Sequence, residues 1–255
     1  MEQRLIGREA ELKLLNEYIN SDKSEFIAVY GRRRVGKTFL IRKAVEDHFA
    51  FFMTGMNGVA KGEQLVNFSI ALQKYTHSTT LQPFKSWLLA FYALSQYIET
   101  LPEGKKVIFI DELPWMDTAK SGFIPALENF WNSWAVLRND IKLIVCGSAT
   151  SWMINNLIRN RGGLHNRLTH HLIVKPFTLH ECEEYFKAYH FGYSRKQIAE
   201  CYMVMGGIPY YLSMMDKSKS LAQNIDQLFF ADNAELKDEF NDLYRALFKK
   251  SANHI

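Results

Sequence analysis

The feature that most constrains this chain is the stretch from Gly31 to Thr38, which lies between two apolar segments. It consists of a glycine, four further residues and then Gly36-Lys37-Thr38, which is the spacing of a phosphate-binding loop. The apolar residues 26–30 before it predict a buried strand, and the apolar residues after it predict the start of a helix. A strand, a glycine-containing loop and a helix in this order predict a parallel α/β fold.

The residue types in this loop suit phosphate chemistry. Gly31 and Gly36 allow the backbone to turn so that its N–H groups point at phosphate oxygens. The helix that begins near Gly36 adds the positive end of its dipole. Lys37 is predicted to reach the β- and γ-phosphates of a nucleotide, and the Thr38 hydroxyl is predicted to bind Mg²⁺. The alternative is a basic turn between strand and helix, which a second motif downstream disfavours.

That second motif is the apolar run 107–110 followed by Asp111 and Glu112. It predicts a buried parallel strand with two acids at its carboxyl end, the edge at which open α/β sheets bind ligands. Asp111 is predicted to hold Mg²⁺ through water, and Glu112 to orient or deprotonate an attacking water molecule. An ordinary strand end followed by a turn at Pro114 would explain this pattern alone, but not its pairing with the phosphate loop.

Strands alternate with helices as far as Pro176, which predicts a P-loop NTPase fold: a three-layer α/β domain with a parallel sheet between helices. The predicted strands are 26–31, 50–54, 107–111, 141–146 and 172–174, and the first long helix is predicted at 37–48. After Pro176 the pattern predicts helices only, near 179–190, 195–205, 208–215, 219–230 and 234–250. The predicted domains are therefore a P-loop domain at 1–176 and a helical lid at 177–255.

Further candidates lie near the fourth and fifth strands. The position of Ser148 leaves two roles open, since it could reach the γ-phosphate or attacking water, or cap the next helix. Arg161 and Arg167 lie on a glycine-containing loop, where an arginine can stabilise charge at the γ-phosphate. Arginines on a loop are more commonly plain surface residues, so that alternative also stays open.

Composition narrows the class of protein further. The 255 residues are 47% hydrophobic and 23% charged, as in soluble globular proteins. A net charge of +4 permits nucleic-acid binding without arguing for it. We expect a cytoplasmic protein without a membrane partner, because no apolar run approaches a membrane span, no signal peptide is evident and the cysteines show no paired spacing. No metal other than Mg²⁺ is predicted, since three histidines lack partners at metal-ligand spacing: His165, His170 and His171.

Taken together, these motifs resemble the archaeal-type ATPase family of the AAA+/STAND branch of P-loop ATPases. The resemblance covers nearly the whole chain. It rests on Gly7-Arg8-Glu9, on the arginine-rich Walker A loop 31–38, on the Walker B segment 109–115, and on the sensor-1-like Cys146-Gly147-Ser148. Residues 164–167 ahead of 174–177, and the Gly-x-Pro segment 206–212, also match family motifs.

The resemblance implies ATP and Mg²⁺ as cofactors and assigns several roles. It favours a catalytic role for Ser148 and makes Arg167 the arginine-finger candidate, although His165 and Asn166 replace the usual Tyr and Gly there. It places Pro209 near the nucleotide, and no sensor-2 arginine is found in that segment. The expected catalytic residues are Glu112, Lys37, Ser148 and Arg167, and the expected metal ligands are Thr38 and Asp111. The expected nucleotide-binding residues are Gly31, Arg32, Arg33, Arg34, Val35, Gly36, Lys37, Thr38, Phe39, Gly7, Arg8 and Pro209.

The leading hypothesis is an ATPase that uses Mg-ATP hydrolysis to drive a conformational change. The alternative is a nucleotide-gated signalling or binding module with little turnover. A small-molecule kinase is disfavoured by the water-orienting acid Glu112, and a GTPase by the absence of an Asn-Lys-x-Asp motif. The run Arg32-Arg33-Arg34 is more simply explained by the phosphate loop than by DNA. In similar proteins a winged helix follows the lid, so the chain is expected to be a fragment. Two further hypotheses are a homo-oligomer and a protein or DNA partner that binds through a missing C-terminal region.

Overall fold

The structure is a computed structural model that describes residues 4–81, 83–159, 162–164, 166–237 and 239. The chain divides into two compact units between Lys175 and Pro176. All of the described strands belong to the first unit, and the described elements of the second unit are helical.

Five strands form one sheet in the order β2-β3-β4-β1-β5, and every neighbouring pair is parallel. This confirms the predicted α/β class with a parallel sheet. The central strands are buried along their whole length, because they carry runs of apolar residues that suit a sheet covered on both faces. The strands are β1 Glu25–Tyr30, β2 Phe51–Thr54, β3 Lys106–Asp111, β4 Ile141–Gly147 and β5 His170–Ile173.

The helices of the first unit alternate with these strands. A 3₁₀ turn, Leu113–Trp115, follows β3 directly, and another, Ala135–Leu137, follows α5. The last helix continues from α-helical into π-helical hydrogen bonding over Ile154–Ile158. The α-helices are α1 Glu9–Asn20, α2 Lys37–Ala44, α3 Lys61–Thr76, α4 Trp87–Glu99, α5 Phe123–Ser133 and α6 Thr150–Met153.

Alternate residues of each strand face opposite sides of the sheet. Phe26, Ala28 and Ile108 belong to a large core cluster built with residues of α3, α4, α5 and α6. Ile27 and Val29 are equally buried but lie outside that cluster, on the face where α1 and α2 pack. The sheet is therefore the middle of three layers.

The end of the first long helix differs from expectation. The helix predicted over 37–48 is wrong at its end, because α2 stops at Ala44. Glu46 and Asp47 have left-handed backbones, with φ of 50° and 60°. The Asp47 carboxylate accepts a hydrogen bond from Arg42 Nε at 2.6 Å, which closes the chain back onto the last turn. A polar residue in the left-handed region ends a helix as glycine does.

The second unit contains short helices. Capping boxes at Thr178 and Ser194 begin two of them, with each hydroxyl accepting from the backbone N–H three residues later. The predicted helix near 234–250 lies, beyond residue 237, almost wholly outside the described residues. The described helices are α7 Leu179–Ala188, α8 Arg195–Met205, α9 Pro209–Ser213 and α10 Leu221–Ile225, which continues as a π-helix over Asp226–Phe230.

The strand order positions the candidate site. Because β3, β4 and β1 are neighbours and run parallel, the residues that follow them meet at one edge of the sheet. Those residues are Gly31, Glu112 and Ser148. Among the described residues, no helix combines the length and apolar character that crossing a membrane requires.

Candidate functional site

The phosphate loop connects Tyr30 at the end of β1 to Lys37 at the start of α2. A Cβ atom on Gly31 would lie 2.2 Å from the carbonyl oxygen of Val174, so the backbone there approaches the segment after β5 too closely for any side chain. Gly36 has a φ of 87°, a region that favours glycine. Both glycines of the motif are therefore required by the geometry of the loop.

Lys37 lies beneath this loop and is 6% exposed. Its Nζ donates hydrogen bonds to the carbonyl oxygens of Gly31 at 3.1 Å and Arg32 at 2.9 Å. Within the described part of the chain, the backbone N–H groups of Val35, Gly36 and Lys37 have no hydrogen-bond acceptor. An ammonium group and a row of free N–H donors at a helix start form a cradle that fits a polyphosphate.

Thr38 connects the loop to the acidic strand. Its Oγ1 donates a hydrogen bond to Asp111 Oδ2 at 2.8 Å, and Asp111 Oδ1 accepts from the backbone N–H of Glu112 at 2.9 Å. Asp111 is 5% exposed. A hydroxyl and a carboxylate beside a phosphate cradle are hard oxygen donors of the kind that Mg²⁺ prefers, so these residues fit that ion.

Glu112 is half-buried and has a left-handed backbone, with φ of 47° and ψ of 46°. Its Oε2 accepts two hydrogen bonds from Ser148, one from the backbone N–H at 3.2 Å and one from the hydroxyl at 3.0 Å. Ser148 does not cap the next helix, because the N-cap of α6 is Ala149 and that helix has no side-chain cap. The structure thus joins Ser148 to the candidate catalytic acid.

Arg8, the residue just before α1, contacts the phosphate loop and the segment after β5. It is 4% exposed, and its Nη2 donates to the carbonyl oxygens of Val35 at 3.3 Å and Lys175 at 2.6 Å. Its Nη1 is 3.2 Å from Glu11 Oε1. Gly7, just before it, is buried. Arg8 therefore supports the phosphate loop from behind, and a direct contact of either residue with a nucleotide stays a prediction.

Comparison with known proteins identifies the family. A family model described as an ATPase domain predominantly from Archaea matches residues 5–215, which is most of the chain. The chain belongs to this archaeal-type ATPase family. The match extends from the segment before Gly7 to beyond Pro209, so it includes every candidate residue named above. The P-loop ATPase fold expected from the motifs is confirmed.

One relative of this archaeal ATPase domain is longer than the chain. The uncharacterized protein MJECL04 of Methanocaldococcus jannaschii is 30% identical over 208 residues, which cover 81% of this chain and 43% of that protein. The chain thus spans less than half the length of this relative. An uncharacterized ATP-binding protein of the same organism, MJ0423, is 48% identical over 42 residues, covering 16% of this chain and 71% of that protein.

The fold also matches a solved structure. The Walker-type ATPase PABY2304 of Pyrococcus abyssi superimposes with a TM-score of 0.63 at 18% identity, covering 94% of this chain and 76% of that one. At this identity the likeness shows that the archaeal ATPase domain shares the fold.

The arginines of the loop and the residue after the motif lie around the cradle of this ATPase domain. Arg32, Arg33 and Arg34 are exposed, whereas Val35 is buried. Phe39 is half-buried, with Lys43 Nζ 5.7 Å from the centre of its ring. These positions agree with arginines that add positive potential at the mouth of the site, and contact with a nucleotide stays a prediction.

One predicted residue lies away from the cradle. Arg167 is exposed and precedes Thr169, whose backbone N–H donates to Phe26 near the start of β1 at 2.9 Å. Because β5 runs parallel to β1, Arg167 lies at the sheet edge opposite the phosphate loop of its own ATPase domain. Pro209 begins α9 in the second unit. Arg161 and His165 lie outside the described residues.

One residue of the site was missed from the sequence. The Cys146 side chain is fully buried near the end of β4, where burial and then the negative charge of Asp111 raise the pKa of its thiol well above the usual range. It therefore contributes a neutral group beside the acids. The sequence placed Cys146 in the sensor-1-like segment but gave it no role of its own.

One of the described histidines, His170, packs against the first helix. His170 stacks on Tyr18 with ring centres 3.6 Å apart, and its Nε2 lies 3.4 Å from Glu25 Oε2. Among the described residues, no group of histidines, cysteines and carboxylates could hold a metal ion by itself.

Proposed function

We propose that this ATPase domain binds ATP together with Mg²⁺ and hydrolyses it, and that hydrolysis drives a conformational change. The observation that carries this proposal is the 2.8 Å hydrogen bond between Thr38 and Asp111. It joins the phosphate cradle to the acidic strand, and Glu112 is the residue that follows Asp111 at the end of that strand. Membership in an ATPase family supports ATP as the nucleotide.

In the proposed reaction, residues of the phosphate loop bind the nucleotide, and acids at the end of β3 act on the metal ion and the water. The loop N–H groups and Lys37 bind and orient the β- and γ-phosphates. Thr38 and Asp111 would hold Mg²⁺, which when bound neutralises charge that develops between the β- and γ-phosphates. Glu112 accepts the proton of the attacking water. Since Ser148 binds Oε2 of Glu112, we assign Oε1 as the proton acceptor.

A second candidate function is a nucleotide-gated module with little turnover. Two hydrogen bonds from Ser148 hold the Glu112 carboxylate at the end of β4, and both are accepted by its Oε2. An oxygen that already accepts two hydrogen bonds is not available to take a proton from water. This observation favours slow hydrolysis, with the bound nucleotide acting as a signal.

Self-association belongs to the same proposal. Arg167 is exposed at the edge opposite its own phosphate loop, so it can reach the γ-phosphate of a neighbouring subunit more readily than its own. An arginine in that role stabilises charge formed in the transition state. A protein or DNA partner stays a proposal, which turnover measured with and without DNA and candidate proteins would test.

The test of hydrolysis compares phosphate release by the parent, Glu112→Gln and Glu103→Gln. Glu103 is an exposed acid on the turn before β3, so the same change there is the matched control. We expect Glu112→Gln to retain ATP affinity and to lower phosphate release by about 10²- to 10⁴-fold, because an amide cannot accept the proton. Phosphate release from Glu112→Gln at the parent rate would remove Glu112 from this role.

The second candidate is tested in the same assay with Lys37→Met. If the parent binds ATP but releases phosphate no faster than Lys37→Met, the domain is a nucleotide-gated module. The proposed conformational change is tested by amide hydrogen exchange with ATP and with ADP. Identical exchange in the two nucleotides would contradict it.

A further inference from the structure

The left-handed backbone of Glu112 needs an explanation of its own. A non-glycine residue in this region carries a steric cost, and it persists only where its surroundings fix it. The hydrogen bonds from Ser148 act on the Glu112 side chain. They do not by themselves fix the backbone dihedral angles from which that side chain starts.

The loop after β2 packs directly against this backbone. The N–H of Gly55 donates to the carbonyl oxygen of Asp111 at 2.9 Å. A Cβ atom on Gly55 would lie 2.8 Å from the carbonyl oxygen of Glu112, closer than side chains approach backbone oxygens. Gly55 thus braces Glu112 from one side, and its own position must be fixed by another group.

Gln64 of α3 is that group. Its side chain is 0% exposed. Oε1 accepts from the backbone N–H of Met56 at 3.1 Å, and Nε2 donates to the carbonyl oxygens of Met56 at 2.6 Å and Trp115 at 2.9 Å. Met56 follows Gly55, and the N–H of Trp115 donates to the carbonyl oxygen of Glu112 at 3.0 Å. The buried Gln64 amide therefore joins two segments that contact Glu112: the loop after β2, which packs against its backbone, and the 3₁₀ turn that follows it in sequence.

We propose that Gln64 is a positioning residue for Glu112. It holds Met56 and Trp115 at a fixed separation, so that Gly55 stays against the left-handed backbone and the carboxylate stays directed at the end of β4. An amide suits this role because it supplies one acceptor and two donors in a plane. This inference rests on the proposed function for its effect on turnover, but not for its effect on the backbone.

The first test is steady-state turnover of Gln64→Leu, with Gln73→Leu as the matched control. Gln73 lies on the same helix, and its amide likewise donates to a backbone carbonyl, that of Ser78, at 2.9 Å. We expect Gln64→Leu to lower kcat by about tenfold or more while the Kd for ATP stays unchanged, since only the geometry of the acid is disturbed. Gln73→Leu is expected to keep the parent kcat. An unchanged kcat in folded Gln64→Leu overturns the proposal.

The second test needs no turnover. We expect amide hydrogen exchange at Gly55 and Trp115 to become about tenfold faster in Gln64→Leu, because the contacts that hold both segments are lost, while exchange in α2 stays as in the parent. Parent-like exchange at both amides overturns the proposal. Faster exchange in a protein whose parent shows no phosphate release supports the positioning role and contradicts the proposed hydrolysis, so the two failures are distinguishable.

Gln64→Glu provides a variant of nearly unchanged shape in case Gln64→Leu does not fold. A carboxyl group facing two carbonyl oxygens in a buried position has a raised pKa, and only its protonated form can donate to one of them. We therefore expect its kcat, relative to the parent, to fall as pH rises. A ratio of the two rates that is constant with pH would contradict the proposal.

Discussion

Buried lysines lie at both edges of the same sheet. Lys37 lies at the edge formed by the carboxyl ends of the strands, and Lys142 lies near the amino end of β4. Both bind backbone oxygens: Lys37 binds those of Gly31 and Arg32, and Lys142 binds those of Ser21 and Lys23. Burial and hydrogen bonding of a lysine therefore do not by themselves mark a site.

The surroundings of the two lysines differ. Lys142 also contacts the Ser21 hydroxyl at 2.8 Å, which donates in turn to the buried Glu25 at 2.8 Å. At the amino edge, Lys142, Ser21 and Glu25 are thus joined by hydrogen bonds to one another. At the carboxyl edge the N–H groups of Val35 and Gly36 lack acceptors in the described chain, and Glu112 has a left-handed backbone. Free donors and a fixed, strained backbone distinguish a binding edge from a structural one.

The largest effect on phosphate release is expected from Arg167, which lies at the amino edge and is proposed to reach the nucleotide at the carboxyl edge of a neighbouring subunit. Arg167→Ala should lower phosphate release by roughly 10³-fold and leave ATP affinity nearly intact, because the guanidinium acts on charge of the transition state. Mixing Arg167→Ala with Glu112→Gln protein should restore partial activity, since each subunit supplies what the other lacks. Phosphate release by the mixture is the measurement.

A mixture that stays inactive while both variants self-associate would show that Arg167 does not act across an interface. The parent offers a second check, since its activity per subunit should rise with concentration. Constant activity in a protein that stays monomeric over a broad dilution series would favour the nucleotide-gated module.

The next prediction separates the two lysines by making the same change at both. Lys37→Met should weaken ATP binding by roughly 100-fold or more, because the phosphates lose a buried counter-charge. Lys142→Met should leave ATP affinity unchanged and lower the free energy of unfolding by about 3 kcal/mol, because the oxygens of Ser21 and Lys23 lose their buried donor. Calorimetry with ATP and denaturant unfolding measure the two effects. Parent-like ATP affinity in Lys37→Met would contradict the phosphate-cradle assignment.

A smaller effect is expected from the metal side of the carboxyl edge. Thr38→Ala and Asp111→Asn should each raise the Mg²⁺ concentration for half-maximal turnover by roughly 50-fold, since each removes an oxygen of the predicted metal shell. Ser121→Ala, at a buried serine of the loop before α5, is the control. A magnesium titration that matches the parent's would exclude the substituted residue from that shell.

The difference between the edges also explains what could be predicted from sequence. The strand, loop and helix around Gly31 were predictable because the spacing of Gly31, Gly36 and Lys37 between two apolar segments is a pattern of neighbouring residues. The apolar run before Asp111 predicted a buried strand for a similar local reason. Neither pattern contains the order of strands, which brings Ser148 next to Glu112 through contacts between distant segments.

Gln64 shows the limit most clearly. It is a polar residue near the start of α3, and such residues are usually exposed. Yet Gln64 is fully buried, and its amide donates hydrogen bonds to Met56 and to Trp115, which is 51 residues away. The end of α2 was missed for a related reason. A bond from Arg42 to Asp47 favours a left-handed turn that helix propensity does not reveal.

The smallest effect is expected at the amino edge, from Asp140. Its carboxylate accepts from Arg138 at 2.8 and 2.7 Å and lies 3.0 Å from Lys106 Nζ. The Arg138 guanidinium, and then Lys106, lower the pKa of this carboxyl from 3.8 to about 2. A carboxyl with a lowered pKa stabilises the folded state above its unfolded pKa, and this contribution disappears as pH falls through the folded pKa.

Asp140→Asn should therefore lower the free energy of unfolding by about 2 kcal/mol at neutral pH, and the difference from the parent should shrink between about pH 4 and pH 2. Asp22→Asn is the control, since Asp22 is fully exposed and 3.9 Å from its lysine partner. ATP affinity at neutral pH should not change in either variant. Weakened ATP binding in a folded Asp140→Asn protein would contradict the assignment of nucleotide binding to the carboxyl edge alone, because it would show that the amino edge also affects the nucleotide site.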